Sequence, residues 1–169
     1  SFGLSLSQIG LLASVFTLIM VVVGVLIGGI VRGAGTKRIL IAALIIACIG
    51  NAISLCLNAY SAPGDGVIVF APVYHAFARI IKGADRRLVE SPLIQRDGRY
   101  HMDLDALAAR LTGDEKIVLF CSPHNPGGRV WSSDELQQLA DFCETHDLTL
   151  ISDEVHNDLV YKGNKHHVL

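Results

Sequence analysis

Polar side chains suited to binding a ligand follow two apolar runs in the second half of the sequence. Asn125 lies in the polar loop after the run 117–120, and Asp153 lies in the polar cluster after the run 148–151. If these runs form neighbouring parallel strands, their carboxyl ends meet at one edge of a sheet, where α/β proteins bind their ligands. Asn125 and Asp153 are therefore predicted to face one shared site, although they are far apart in sequence.

The elements that would position these residues follow from the periodicity of residues 61–169. Short β-branched and aromatic runs predict strands, and apolar residues at i, i+3, i+4 and i+7 predict helices with one buried face. The predicted elements are strands Val67–Ala71 and Arg86–Glu90, helices Tyr74–Gly83 and Asp103–Leu111, an Asp97-Gly98 hairpin turn, and a helix after a capping box from Ser132 to Glu135. Strands that alternate with helices predict an α/β fold with a parallel sheet and helical crossovers.

The first third of the sequence differs in composition from the rest. Hydrophobic residues make up 51% of the chain and the mean hydropathy is +0.45, while residues 1–31 carry no charge and the first acidic residue is Asp65. The runs Ile9–Val31 and Ile39–Tyr60 are each long enough to cross a bilayer as a helix. A pair of buried core helices is the alternative interpretation.

The connector between these runs, residues 28–38, resembles the loop between the second and third spans of major facilitator superfamily transporters. The positions that match that family's pattern in kind are Gly28, Ile30, Gly35 and Lys37, whereas Arg32 stands where the family has Asp. Because its charges are all basic, the positive-inside rule places the connector on the cytoplasmic side of a membrane. Residues 1–58 are accordingly predicted to form an apolar, transmembrane-like helical hairpin.

Three motifs in the second part of the sequence resemble the fold-type I pyridoxal-phosphate (PLP) enzymes of the aminotransferase class I/II superfamily. The motifs are Ala71–Phe77, Cys121–Trp131 and Ser152–Tyr161, and they are most similar to the MalY/PatB branch of cystathionine β-lyase-like carbon–sulfur lyases. The resemblance implies that residues 59–169 are part of the large domain of that fold, with pyridoxal 5′-phosphate as cofactor. It also offers another assignment for residues 50–60, as the helix before the Pro63–Gly66 turn, with a phosphate-binding loop near residues 46–50.

The resemblance assigns roles at the cofactor ring to four residues. Asp153 would keep the pyridine nitrogen protonated, Asn125 would hydrogen-bond the ring hydroxyl oxygen, and Tyr74 would stack on the ring face. His156 would lie near the ring hydroxyl. The simpler interpretations are a turn-capping carboxylate for Asp153, turn punctuation for Asn125-Pro126, ordinary core packing for Tyr74 and a surface loop histidine for His156.

The family's Schiff-base lysine follows the aspartate on a later strand-to-loop turn, where it holds the cofactor and moves the α-proton. Lys162 and Lys165 are too close to Asp153 in sequence to reach the far side of the ring, and a solvated loop is predicted for them. No catalytic residue is therefore assigned. The chain is predicted to be an inactive, truncated piece of a carbon–sulfur β-lyase, or of an aminotransferase of the same fold. The alternatives are a transporter fragment and a fusion of the two without function.

Partners and compartment follow from the same patterns. The cysteines lack disulfide-framework spacing, which fits a reducing compartment, so a cytoplasmic enzyme is predicted, or a membrane protein if the hairpin inserts. The adjacent His166 and His167 cannot converge on one ion, so a solvated terminal loop is predicted in place of a metal site. Basic patches with interleaved aromatic residues, typical of nucleic-acid binding, are missing from the sequence. The lyase resemblance implies an amino-acid thioether as substrate and a homodimer.

Overall fold

The computed structural model describes residues 52–169, and residues 53–169 form one compact unit. Nearly all of the predicted hairpin, residues 1–58, lies outside the described residues, as do the transporter-like connector and the predicted phosphate-binding loop near residues 46–50. Within residues 52–169, no helix is both long and apolar enough to cross a membrane. The hairpin and its insertion therefore stay predictions.

Helices and strands alternate along the described part of the chain. The first element, α1, is helical over residues 52–60. The elements that follow are β1 (Gly66–Ala71), α2 (His75–Gly83), β2 (Arg87–Pro92), β3 (Ile94–Arg96), β4 (Arg99–His101), α3 (Leu104–Ala108), β5 (Glu115–Cys121), α4 (Ser133–Thr145) and β6 (Thr149–Asp153). Each strand and helix predicted from periodicity is present, with its ends shifted by a few residues.

The central sheet has four strands in the order β2-β1-β5-β6, and its three pairings are all parallel. Parallel neighbours need a crossover connection, which α2 supplies between β1 and β2 and α4 supplies between β5 and β6. The predicted α/β class with a parallel sheet is thus confirmed. Because the strands all run in one direction, the loops after β1, β5 and β6 leave from the same edge of the sheet.

Both faces of this sheet are buried. One face contributes Ile68, Phe70, Val118 and Phe120 to an apolar cluster that also contains Trp131 and the α4 residues Leu136 and Leu139. The alternate strand residues, which point to the opposite face, are Val67, Val69, Ile117 and Leu119, and all are at most 1% exposed. Burial of both faces is typical of parallel sheets, and it explains why the strands read as continuous apolar runs.

Two local predictions are confirmed by the backbone. The β3–β4 hairpin turns at Asp97 and Gly98, whose φ angles of 49° and 73° are the positive values that a two-residue hairpin turn requires. The capping box at the start of α4 is complete. Ser132 Oγ accepts from the Glu135 amide at 3.2 Å, and Glu135 Oε2 accepts from the Ser132 amide at 2.8 Å.

Helix α3 is shorter than the predicted span Asp103–Leu111. Asp103 is its N-cap, with Oδ1 accepting from the Ala106 amide at 3.0 Å. At the other end, the Leu111 amide donates to the Ala108 carbonyl, three residues back, at 3.2 Å. Bonds of this i→i−3 type tighten the last turn and end the α-helix early.

A buried arginine joins helix α1 to the sheet. Ile53 and Leu57 of the helix are buried, and Arg86, immediately before β2, reaches its C-terminal end. The guanidinium donates to the carbonyl oxygens of Leu57 (3.3 Å) and Ser61 (2.6 Å), and to the side chains of Asn58 (2.8 Å) and Ser61 (3.1 Å). The described part of residues 50–60 therefore fits the helix that precedes the turn of an α/β domain.

Candidate active site

The sheet brings the two principal site residues to one edge. Cys121 at the end of β5 pairs with Asp153 at the end of β6, and the Ser122 amide donates to the Asp153 carbonyl at 3.0 Å. Asn125 follows three residues after Ser122. The loop after β1, which carries Tyr74, leaves from the same edge, because β1 lies beside β5 in the sheet.

Asn125 and His156 meet across this edge. Asn125 Nδ2 lies 3.4 Å from His156 Nε2, and both side chains are half-buried. They line an open cavity of about 470 Å³ together with the turn 123–130, the β3–β4 hairpin residues Gly98, Arg99 and Tyr100, and Leu159, Tyr161 and Asn164. Neither Asp153 nor Tyr74 lines this cavity. The structure thus brings Asn125 and His156 together, and it shows no side-chain contact of Asp153 or Tyr74 with this pair among the described residues.

The turn that presents Asn125 is fixed by its own backbone and by the hairpin. The His124 amide donates to the Arg129 carbonyl at 2.8 Å, and the Gly128 amide donates to the His124 carbonyl at 2.7 Å. Gly127 packs so closely that an added Cβ would lie 2.9 Å from the Tyr100 ring and 3.0 Å from the His124 ring. Arg129 donates to the Tyr100 carbonyl at 3.0 Å and pairs with a glutamate of α4. Asn125 is therefore held on a well-supported turn.

Asp153 makes the turn-capping hydrogen bond considered from sequence, and its carboxylate can accept further hydrogen bonds. Its Oδ1 accepts from the Val155 amide at 3.2 Å, which is the turn-capping bond considered from sequence. Within residues 52–169, its carboxylate forms no ion pair. Burial, with added repulsion from the Asp153 carboxylate, raises the pKa of the neighbouring Cys121 thiol to about 11. Cys121 is therefore a neutral thiol at this edge near neutral pH.

Tyr74 occupies the position just before α2. Its ring packs edge-on against His75 (centroids 5.0 Å apart) and Phe77 (5.9 Å), and it is half-buried. Among the described residues, its side chain makes no capping hydrogen bond with the helix. The ring is thus fixed from one side by packing, which is consistent both with a core residue and with a stacking surface.

Sequence reasoning missed His124, which lies next to Asn125. Its ring is buried, and Nε2 lies 2.7 Å from the Pro72 carbonyl oxygen in the loop after β1. Burial lowers the pKa of this imidazole. The partner is 52 residues away in sequence, so no local pattern could have indicated the contact.

In the segment after β6, His166 is more buried than the sequence predicted. His166 Nε2 lies 3.1 Å from Glu154 Oε2, and both side chains are largely buried, so the predicted solvated loop is wrong for His166. This contact helps to lower the pKa of Glu154. Burial raises the pKa of its carboxyl group, but hydrogen bonds from the Leu169 amide and from His166 outweigh burial and hold the pKa below its usual value. Lys162 and Lys165 are exposed, as predicted.

The donor set at this edge fits the ring of pyridoxal phosphate. A carboxylate without an ion-pair partner in residues 52–169 is suited to a protonated ring nitrogen, and a half-buried amide is suited to a ring hydroxyl oxygen. These are Asp153 and Asn125, at the ends of adjacent parallel strands.

Comparison with known proteins relates this chain to aminotransferases and cystathionine β-lyases. The family Aminotransferase class I and II matches residues 30–168. Cystathionine β-lyase PatB of Bacillus subtilis (strain 168) is 40% identical over 118 residues, and Protein MalY of Escherichia coli (strain K12) is 39% identical over 115 residues. These matches cover 69% and 68% of this chain and 30% of each relative. The crystal structure of cystalysin from Treponema denticola, which contains a pyridoxal 5′-phosphate cofactor, matches with a TM-score of 0.67 at 42% identity, over 71% of this chain and 31% of that one.

The chain belongs to the aminotransferase class I and II family, since the family match covers most of its residues. It spans about 30% of the length of the curated relatives it matches. The predicted fold and the assignment of pyridoxal phosphate as cofactor are confirmed at the level of the family. These matches give no support to a transporter origin, to a fusion or to the predicted inactivity. The family match begins at residue 30, so the predicted boundary between residues 58 and 59 is still a prediction.

Proposed function

We propose that this chain forms the ring-binding part of a pyridoxal-phosphate-dependent carbon–sulfur β-lyase that acts on amino-acid thioethers. The observation that carries the proposal is the placement of Asn125 and Asp153 at the carboxyl ends of the paired strands β5 and β6. Both side chains keep hydrogen-bonding capacity that no other described residue uses. The similarity to a relative named cystathionine β-lyase supports the lyase branch.

When bound, pyridoxal phosphate supplies an electron sink for the negative charge that forms at the α-carbon of an amino acid. Asp153 would hold a proton at the ring nitrogen, because a nearby carboxylate favours the charged form of that nitrogen. Asn125 would donate from Nδ2 to the ring hydroxyl oxygen. His156 would act through Asn125, since the contact between Nδ2 and Nε2 restricts rotation of the amide.

Tyr74 would cover one face of the ring. Its own ring is packed edge-on by Phe77 and His75, which leaves the orientation of the phenol largely fixed before a ligand arrives. A prepositioned aromatic face lowers the entropy lost on binding. The proposed reaction breaks the Cβ–S bond of a thioether amino acid and takes up water, giving a thiol, pyruvate and ammonia.

Binding of pyridoxal phosphate tests the site. Titration of the chain with the cofactor, followed by its absorbance, is expected to saturate. Asp153→Asn is expected to weaken binding by about tenfold to a hundredfold, because a charge-assisted hydrogen bond becomes a neutral one. Asn125→Ala should have a smaller effect, and Asp141→Asn, an exposed change on α4, serves as the matched control. Binding that is absent, or that is equal in wild type and Asp153→Asn, would falsify the proposed site.

The reaction class needs a second measurement on the cofactor-loaded protein. With L-cystathionine as substrate, a β-lyase releases thiol and pyruvate in equal amounts. An aminotransferase, the alternative suggested by the family's name, would transfer the amino group to an added 2-oxo acid without releasing thiol. The second outcome would replace the lyase assignment while keeping the site.

The remaining features of the proposed enzyme follow from the same family. We infer a cytoplasmic homodimer, with a domain boundary between residues 58 and 59, and attachment to a membrane only if residues 1–58 insert. Sedimentation of the purified protein with and without detergent separates these cases. A detergent-free, soluble dimer supports the cytoplasmic assignment, and sedimentation with lipid supports the hairpin.

A further inference from the structure

His124 is hydrogen-bonded to two parts of the candidate site at once. Its backbone amide and carbonyl close the turn that carries Asn125, through Arg129 and Gly128. Its side chain leaves that turn and reaches the loop after β1, where Nε2 lies 2.7 Å from the Pro72 carbonyl oxygen. Pro72 stands two residues before Tyr74. One residue therefore connects the loop of the proposed stacking ring with the turn of the proposed ring-hydroxyl donor.

The direction of this hydrogen bond is determined by chemistry. A carbonyl oxygen only accepts, so Nε2 must carry the proton and donate it. In a neutral imidazole, Nδ1 is then an acceptor, and among the described residues it has no hydrogen-bond partner, although it is buried. Burial of the ring also lowers the pKa of His124, which favours the neutral imidazole near neutral pH.

A packing role alone does not explain this arrangement. The ring lies edge-on to Trp131, with centroids 5.8 Å apart, and against Gly127, and an apolar side chain of similar size would make the same contacts. A buried nitrogen without a partner costs free energy that an apolar side chain avoids. The contact that only the imidazole supplies is the hydrogen bond to Pro72, so the function of the ring lies in that bond.

We propose that His124 is a positioning residue that holds the Tyr74 loop against the Asn125 turn and so fixes the width of the cofactor-ring site. The proposal rests on the proposed function, because it takes Tyr74 and Asn125 to be the neighbours of the ring. His124 touches neither the cofactor nor a substrate in this scheme. It acts by fixing two loop segments that follow different strands, β1 and β5.

Two variants separate the hydrogen bond from packing. Gln at position 124 can donate from Nε2 toward Pro72, whereas Leu fills the space without a donor. His124→Leu is expected to raise the dissociation constant for pyridoxal phosphate about threefold to tenfold, and His124→Gln should recover most of the loss. His146→Leu, at an exposed histidine after α4, is the matched control. Equal affinity in wild type and His124→Leu, with Asp153→Asn still weakened, overturns the positioning role and leaves the proposed function standing.

Hydrogen exchange of the protein without cofactor gives an independent measurement. In His124→Leu, the amides of residues 73–75 should exchange faster than in wild type, while the amides of β1 and β5 should not change. His124→Gln should return the exchange of residues 73–75 toward the wild-type rate. Unchanged exchange in His124→Leu contradicts the proposal even if the chain fails to bind pyridoxal phosphate, in which case the proposed function fails separately.

Discussion

Polar side chains at the amino ends and at the carboxyl ends of the parallel strands make different use of their hydrogen-bonding groups. At the edge where the strands begin, Arg86 and Glu115 have their hydrogen-bonding groups engaged by their surroundings. Arg86 makes five hydrogen bonds, including one to the Ala84 carbonyl at 2.6 Å, and Glu115 accepts from Arg87 and from the Thr112 backbone and side chain. At the edge where the strands end, Asn125 and Asp153 each make one side-chain hydrogen bond within residues 52–169.

This difference separates stabilising groups from groups available to a ligand. A buried polar group that has all its partners contributes to folding, and one that lacks partners costs free energy until something binds it. Residues of the first kind should affect the free energy of unfolding and leave cofactor affinity unchanged. Residues of the second kind should do the reverse, as expected when a site is maintained at some expense in stability.

The largest effect on stability is expected at Arg86. Arg86→Met removes the donors to the Ser61 carbonyl and to the Asn58 side chain at the end of α1, and should lower the free energy of unfolding by about 2–4 kcal/mol. Urea denaturation measures the change. Arg79→Met, an exposed arginine of α2, should change it by less than about 0.5 kcal/mol. If Arg86→Met leaves the free energy of unfolding unchanged, the proposed difference between the two ends of the strands is wrong.

A smaller and pH-dependent effect is expected at Glu115. Burial raises the pKa of this carboxyl group, but hydrogen bonds from Thr112 and Arg87 outweigh burial and hold the pKa below its usual value of 4.5. Because the folded-state pKa is depressed, its contribution is present above about pH 4.5 and is lost as the pH falls through the folded value. Glu115→Gln should therefore cost about 1–2 kcal/mol at pH 7 and progressively less below pH 4.5. A cost that does not change with pH would contradict this assignment.

A third effect on stability, in a higher pH range than that of Glu115, is expected at His124. Burial lowers the pKa of this imidazole from its usual value of 6.5, so the unfolded chain binds a proton that the folded chain does not. Stability should be constant above about pH 6.5 and should fall as the pH drops toward the folded-state value. Denaturation curves between pH 7.5 and 5 should show this loss in wild type and a smaller loss in His124→Gln. Identical pH profiles would argue against a buried neutral ring.

The smallest effect on stability is expected at Asp153. Its side chain makes one hydrogen bond, to the Val155 amide two residues away, so Asp153→Asn should change the free energy of unfolding by less than about 0.5 kcal/mol. The same variant is the one expected to weaken cofactor binding most. Thermal denaturation without cofactor measures the first quantity. A loss above about 2 kcal/mol would place Asp153 among the stabilising groups instead.

The sequence indicated the fold well because local rules and the global fold agree. The strand β1 shows as a β-branched and aromatic run, the turn at Asp97 and Gly98 shows as an Asp-Gly pair, and the box from Ser132 to Glu135 shows as a capping signature. Each of these signals depends on residues within a few positions of one another. The parallel sheet followed from their order, since strands that alternate with helices need crossovers.

The long-range polar contacts could not be predicted in the same way. Arg86 meets α1 across 25 to 29 residues, His124 meets Pro72 across 52, and His166 meets Glu154 across 12. None of these pairs has a periodic spacing. The partners of Arg86 at the end of α1 carry no sequence signal of their own that would indicate a contact with an arginine. The candidate site residues were proposed from the sequence because they follow predicted strands within a few positions. The residues that support them were missed because that support comes from elsewhere in the chain.

The contact between Gly127 and Tyr100 has a consequence for how relatives of this chain can diverge. The β3–β4 hairpin is outside the central sheet, yet its aromatic ring leaves no room for a Cβ on the turn that carries Asn125. A substitution at position 127 therefore requires both the Tyr100 ring and the His124 ring to shift or become smaller, so position 127 should change together with positions 100 and 124 in an alignment of homologues. A hairpin outside the central sheet would in this way restrict the evolution of the loop it supports.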